Sequence, residues 1–545
     1  MLMIFVPVMD ALKDVNPYLS ELQHLTYLDL SRLYIHPIPE FLGSMQRLRY
    51  LSLQGGEGDA IPIPSSSISN LTNLRALYLD DFTFKNLTAS TWLAPLSSLQ
   101  YLNLKDMDLP MNLYKVLNML PSLLHLYLSY YNFAKVSYFP LTNLTCLQLL
   151  SLASNLFNCH SSVLHAFQNT TSIKVLDISG NDLNSVPSWG CGFAGELPST
   201  LQNMTSIRSL DFSQNSLSSI VPLGKLENLV KLNLESNHLY GPLHYALRNL
   251  TFLTHLRLFN NHFNSLPLWL GELKSLVRVD LFLNNSTVTT IEEGFLSSIL
   301  KNFYHLKYLD FSGSNCQGLA FNDKGTLSSC NGYALEYLQL NVNKFGGLLP
   351  SQLKNLKLFH LSSNSLQGTM NGLINSWPQV MSLVYLDLSC NRITGSIPEI
   401  LQPRTPNLRF LLLNDNFMNG KIPERIGDMR SLESIDLSHN HLSGAIPRNM
   451  IDLNLLSHLN LSYNNLSGSI PIENQFQTLN DPLSYTSNQY LSGAPLPKYY
   501  PGDGPHHVPT FEGYEDEDRK NDQLEKAFFY SIVSIGFVTG FWGNY

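Results

Sequence analysis

Three sets of residues in this chain have types and spacings that chemistry can use. The first is a series of aspartates, Asp177, Asp211, Asp280, Asp310, Asp387 and Asp436, each set between two large apolar residues. Paired carboxylates do acid–base work when their surroundings drive their pKa values apart. These aspartates instead recur at one place in a repeated phrase, which marks a positional role in the backbone. The second set is aromatic and basic: Tyr101, Tyr127 and Tyr130 in one group, and His255, Arg257, Phe259, Arg278 and Phe282 in another. Such side chains carry much of the energy of binding surfaces. The third set is Gly536 and Gly540, with Gly543 close by, in an apolar segment near the carboxyl end. A G-x-x-x-G spacing lets two membrane helices approach closely.

Enzyme motifs are missing from the sequence. It has no phosphate-binding glycine loop, no kinase glycine loop or His-Arg-Asp, no G-x-S-x-G and no H-E-x-x-H. His506 and His507 lie in a Pro-rich stretch without partners at ligand spacing, and the six cysteines include no CxxC pair for zinc. Neither a catalytic residue, a metal nor a cofactor is expected. A net charge of −8 spread over 545 residues leaves no footprint for nucleic acid. In an oxidising compartment Cys316 and Cys330 could bridge within one loop.

The elements that must position these residues are set by a repeat. The phrase L-x-x-L-x-L, with Ile, Val or Phe for a leucine in some copies, occurs eighteen times between Leu25 and Leu461, mostly at a spacing of about 24 residues. Alternating leucines place every second side chain on one face of a short strand, so stacked coils bury them in a continuous column beneath a parallel sheet. Three residues after the last strand leucine an asparagine recurs, at Asn155, Asn181, Asn215, Asn237, Asn261, Asn284, Asn343, Asn364, Asn391, Asn416, Asn440 and Asn464. Its amide can satisfy the backbone groups left unpaired where the coil turns, and successive copies can stack as a ladder. The first five coils carry Leu33, Gly56, Phe82, Met107 and Tyr131 there, so the amino-terminal third is expected to be less regular.

Several coils continue with Gly-x-Ile/Leu-Pro, as at Gly195 to Pro198, Gly395 to Pro398, Gly420 to Pro423, Gly444 to Pro447 and Gly468 to Pro471. This phrase resembles the plant-specific leucine-rich repeat, a subtype with extra short strands beside the main sheet. The fold expected is therefore an α/β solenoid: a right-handed plant-type leucine-rich-repeat superhelix with a parallel β-sheet on its concave face. The stretch Leu459 to Pro471, the following Gln475 to Leu479, the Gly493-Ala494-Pro495-Leu496-Pro497 remnant and the Gly536 to Gly543 tail together resemble the plant leucine-rich-repeat receptor-like proteins, which are kinase-less immune receptors.

That resemblance implies a division of the chain. Residues 1–24 are an incomplete amino-terminal repeat or cap remnant, 25–471 the array, 472–503 a degenerate carboxyl-terminal cap, 504–526 an acidic juxtamembrane linker and 527–545 a truncated transmembrane helix. A helix over Ala527 to Trp542 spans roughly 24 Å, against a hydrocarbon layer of roughly 30 Å. Ser492 and Tyr500 stand where the family's cap has a cysteine pair, and the chain reads as a truncated or degenerate member.

The resemblance further implies a plasma-membrane, single-pass protein with its repeats outside. It would bind an extracellular peptide, protein or glycan on the concave face and signal in plant defence through an adaptor leucine-rich-repeat receptor kinase. Alternatives are a secreted protein resembling the polygalacturonase inhibitors, and a non-functional gene fragment or decoy. Ten N-x-S/T sequons, at Asn70, Asn86, Asn143, Asn169, Asn203, Asn249, Asn284, Asn285, Asn460 and Asn465, are candidates for glycosylation in the secretory pathway.

Overall fold

The computed structural model describes residues 15–496 apart from 36, 56–60, 63–64, 83, 86–89, 107–112, 131–140, 142, 156–170, 182–194, 198, 283, 285–303, 315–316, 322–333, 348–354 and 376–379. The chain divides into two compact units, Met1–Asn285 and Ser286–Tyr545. Both are stacks of coils in which one leucine phrase makes one strand.

In the first unit the strands Tyr27–Tyr34, Tyr50–Gln54, Ala76–Asp80, Tyr101–Lys105, His125–Tyr127, Leu149–Ser151, Val175–Asp177, Ser209–Asp211, Lys231–Asn233, His255–Arg257 and Arg278–Asp280 pair in chain order, all parallel. The second unit repeats the arrangement with Tyr308–Asp310, Tyr337–Gln339, Leu358–His360, Tyr385–Asp387, Phe410–Leu412, Ser434–Asp436 and His458–Asn460. The register keeps Leu102, Leu126, Leu150, Leu176, Leu210, Leu232, Leu256 and Val279 opposite one another, each buried to within 1% of complete. Burying one such side chain contributes about 1.5–3 kcal/mol. A slip by one residue would expose the whole column.

The asparagine ladder explains why the coils turn where they do. Asn440 Nδ2 donates to the carbonyls of Leu413 (3.0 Å), Leu437 (3.2 Å) and Ser438 (3.1 Å), and its Oδ1 accepts from the Met418 amide at 2.9 Å. Each asparagine thus fastens its own coil to the preceding one, and Asn237, Asn261, Asn391, Asn416 and Asn464 repeat the pattern. The residue before the asparagine takes a positive φ in these coils, as at Ser236, Asn260, Cys390, Asp415, His439 and Tyr463. In four of the five coils near the amino end that lack the asparagine, the strand runs on instead, whereas His125–Tyr127 keeps 3 residues. The strands Tyr50–Gln54, Ala76–Asp80 and Tyr101–Lys105 have 5 residues each, against 3 in His255–Arg257.

The ladder also continues beyond the last leucine phrase. Asn488 donates to Leu461 and Tyr485, accepts from the Leu466 amide, and follows a Tyr485 side chain that is completely buried in the leucine position. The signal was present in Asn488-Gln489-Tyr490-Leu491-Ser492-Gly493, which follows the asparagine-to-glycine half of the repeat with one extra residue, behind Tyr485 in place of the last strand leucine.

Beyond the turns lies a second layer of short parallel strands, and the Gly-x-Ile-Pro step marks four of them, at Gly395, Gly420, Gly444 and Gly468. Tyr240–Pro242 pairs with His262–Ser265 in the first unit. In the second, Gln367–Thr369, Arg392–Gly395, Phe417–Gly420, His441–Gly444, Asn465–Ser469 and Tyr490–Ser492 form a six-stranded sheet. Gly395, Gly420, Gly444 and Gly468 bend the chain there at φ of 80°, 77°, 81° and 85°, a region that side chains with a Cβ disfavour. Short 3-10 helices such as Val221–Lys225, Tyr245–Asn249 and Leu268–Glu272 return the chain to the next strand.

Candidate binding face

Residues that flank each buried leucine project from the open side of the sheet, so a strand of three residues offers two of them. The aspartates sit in this row but are engaged in their own turns. Asp177, Asp211, Asp310, Asp387 and Asp436 each accept from the amide and hydroxyl of the serine two residues on. They hold backbone, as their periodic placement implied.

On the first unit a lane of tyrosines crosses consecutive strands. The rings of Tyr27 and Tyr50 stack with centroids 4.1 Å apart, and Tyr78 lies 5.3 Å from Tyr50. Tyr101 meets His125 edge-on at 4.5 Å, and Tyr127 is opposite Asn103 in the next row. Burial pushes the phenols of Tyr50, Tyr78 and Tyr127 above their ordinary value, and it lowers His125, so the lane is uncharged at neutral pH. Tyr130 stands apart in the turn, 57% exposed, with Lys105 Nζ 5.6 Å from its ring centre. Sequence reasoning named Tyr101, Tyr127 and Tyr130 but missed Tyr27, Tyr50 and Tyr78. Superposing the leucine phrases would have shown Tyr27, Tyr50 and Tyr101 in the same slot.

The second patch lies on the strands His255–Arg257 and Arg278–Asp280, whose register sets His255 beside Arg278 and Arg257 beside Asp280. Between it and Tyr127 run four other strands, so the two patches lie about 24 Å apart at the usual strand spacing. Arg257 reaches Glu235 at 3.6 Å and Arg278 reaches Asp280 at 3.3 Å. Burial, with Asp211 and Asp280 nearby, raises the Glu235 carboxyl despite Arg257, and burial likewise raises Asp280. Burial lowers His255, reinforced by Lys231, Arg278 and Arg257, so the imidazole is neutral at neutral pH. Phe259 and Phe282 extend the patch, with ring centres 6.4 Å apart. Arg257 Nε and Glu235 Oε2 are buried and make no hydrogen bond, and Glu235 Oε2 is held by the Arg257 charge alone.

The second unit presents an apolar row that the sequence reading did not single out. Tyr308, Tyr337, Leu358, Tyr385 and Leu412 form one buried cluster with Phe410 against it. Beside it His360 Nε2 lies 3.0 Å from Asp387 Oδ2 and 2.7 Å from Ser362 Oγ. A nucleophilic triad would place the acid and the serine on opposite ring nitrogens. Here both meet Nε2, so the imidazole cannot pass a proton from one to the other. Burial would raise Asp387, but His360 and the Ser389 hydrogen bonds outweigh it and hold the carboxyl low. No group of His, Cys, Asp and Glu among the described residues could hold a metal ion.

Of the sequons, Asn70, Asn143, Asn203, Asn249 and Asn465 are exposed, Asn460 is half-buried, and Asn284 is buried in the ladder. Asn86, Asn169 and Asn285, Cys316 and Cys330, and the tail with Gly536, Gly540 and Gly543 lie outside the described residues. Among the described residues no helix is long and apolar enough to cross a membrane.

Parts of the chain are similar to known proteins. The family model described as Leucine Rich Repeat matches residues 382–403, 431–453 and 455–476. Receptor-like protein EIX1 of Solanum lycopersicum is 36% identical over 180 residues, 31% of this chain and 17% of the relative. Receptor-like protein 1 of Arabidopsis thaliana is 33% identical over 218 residues, 38% of this chain and 19% of the relative. The matches thus span less than a fifth of the length of either relative. Among solved structures, the crystal structure of PEPR1-AtPEP1 matches with a TM-score of 0.60 at 25% identity, over 84% of this chain and 68% of that one. The chain has the fold of a leucine-rich-repeat solenoid and is similar, over part of its length, to plant receptor-like proteins.

Proposed function

We propose that this chain is a ligand-recognising receptor-like protein, a binding protein and not an enzyme. Its strand face takes an extracellular peptide, protein or glycan, and its signal leaves through an adaptor leucine-rich-repeat receptor kinase in plant defence. In this reading the repeats face outward from the plasma membrane on a single-pass anchor. The observation that carries it is the patch of Arg257, Arg278, Glu235 and Asp280 between His255 and the Phe259–Phe282 pair. It combines charges already balanced by the fold with buried atoms, Arg257 Nε and Glu235 Oε2, that lack hydrogen bonds. A ligand whose charges complement this row gains from side chains already held in place. The relatedness to receptor-like proteins supports the same reading.

The test is a tagged chain produced in leaf tissue and challenged with fungal culture filtrate, with the oxidative burst and co-precipitation of receptor kinases as readouts. Arg257→Ala and Arg278→Ala are expected to abolish the burst while the chain accumulates at the cell surface. An undiminished response from both variants would overturn the assignment of this patch.

A further inference from the structure

We infer that N-linked glycans line one flank of the first unit, at Asn70, Asn143, Asn203 and Asn249, and that Asn284 stays bare in the folded chain. The inference rests on the extracellular location proposed above. All four acceptors stand at the same rung of their coils, six residues before the strands that begin at Ala76, Leu149, Ser209 and His255. Asn203 and Asn249 end the 3-10 helices Ser199–Asn203 and Tyr245–Asn249, and Asn70 directly follows the helix Ser65–Ser69. The four side chains are exposed, and they lie on the flank where the chain enters the sheet. The asparagine ladder and its turns occupy the opposite flank.

Spacing suits the modification. Strands Ala76–Asp80 and Leu149–Ser151 are three coils apart, and the steps on to Ser209–Asp211 and His255–Arg257 are two coils each, which puts neighbouring acceptors about 10–14 Å apart. No two of these four stand on adjacent coils. Transfer joins the asparagine Nδ2 to the anomeric carbon of a lipid-linked oligosaccharide, and the amide proton leaves with the lipid pyrophosphate. Asn284 cannot carry that bond in the fold. It is 3% exposed, and its Nδ2 donates to the carbonyls of Leu258 at 3.0 Å and Leu281 at 2.8 Å. A sugar there would displace a ladder hydrogen bond and enter packed space. The glycan row leaves the strand face and the ladder flank open to a partner.

The full chain, with and without a cleavable signal sequence added before Met1, is translated with microsomes. Protease-resistant folded material is trimmed with an endoglycosidase that leaves one sugar on each occupied asparagine, and the sites are read by mass spectrometry. Expected are sugars at Asn70, Asn143, Asn203 and Asn249 and none at Asn284. Thr72→Ala, Thr145→Ala, Thr205→Ala and Thr251→Ala are each expected to remove one step of the gel shift with the asparagine intact. A translocated chain bare at these four positions, or a folded chain with sugar on Asn284, overturns the inference. Modification of the signal-bearing chain alone supports the sites and shows that residues 1–545 do not by themselves direct translocation, which separates the fate of the sites from that of the proposed location.

Discussion

Replacing Asn440 with alanine removes a side chain that serves two coils at once. Its Nδ2 meets the carbonyls of Leu413, Leu437 and Ser438, and its Oδ1 takes the Met418 amide. An amide nitrogen has only two hydrogens, so the loss amounts to three full hydrogen bonds inside a buried turn, about 3 kcal/mol at about 1 kcal/mol each. Alanine also leaves the Met418 amide buried without an acceptor. The expected readout is local: amide hydrogen exchange at Met418 and over residues 413–440 speeds up by about two orders of magnitude. Asn440→Asp separates bonding from shape. It keeps the acceptor for Met418 but points a second carboxylate oxygen at the carbonyls, so it is expected to destabilise at least as much as alanine. Exchange within threefold of the unmodified chain in both variants would refute the reasoning, because it would make the ladder a by-product of packing.

Other perturbations test separate parts of the account. Leu256→Ala, in a completely buried position of the leucine column, is expected to cost about 3–5 kcal/mol, read as a lower urea midpoint for the first unit. Gly444→Ala places a side chain at φ of 81° and is expected to cost about 1–2 kcal/mol; an unchanged melt would mean that the bend does not require glycine. Glu235→Gln tests the raised carboxyl of the basic patch. A carboxyl raised in the folded state favours folding below its unfolded value of about 4.3, and that contribution disappears as pH rises through the folded value. The variant should therefore be more stable than the unmodified chain at neutral pH and no more stable at pH 3. Asp387 has the opposite sign, since its depressed carboxyl stabilises at neutral pH and stops doing so as pH falls below about 4. Removing one partner of its buried pair with His360→Ala is expected to cost about 3–5 kcal/mol, seen as a lower melting temperature at pH 7.

Much of this was legible because a repeat reports the same instruction many times. The leucine phrase named the strands, the asparagine position named the turns, and the aspartates declared themselves structural by recurring, as the Asp387–Ser389 and Asp436–Ser438 bonds show. The Gly-x-Ile-Pro step announced the second sheet, since glycine permits the bend and proline holds its own φ near the extended range and cannot continue a helix. The features that escaped notice depend on neighbours from other coils. Tyr27, Tyr50 and Tyr78 are unremarkable singly and become a lane only through register. Arg278 meets Asp280 two residues along its own strand, whereas Arg257 meets Glu235 just past the strand of the preceding coil, a pairing that only the register between coils reveals. The last rung at Asn488 went unread because Tyr485 fills the slot where a leucine was sought.

The claim that matters most is that the strand face, and not the helical side, recognises the ligand. A photo-activatable phenylalanine analogue placed at Tyr101 or Phe259 on that face, and at Tyr245 or Phe252 on the helical side, tests it directly in leaf cells exposed to fungal culture filtrate. The account predicts filtrate-dependent cross-links from positions 101 and 259 and none from 245 and 252. Filtrate-dependent cross-links from the helical positions alone would contradict it.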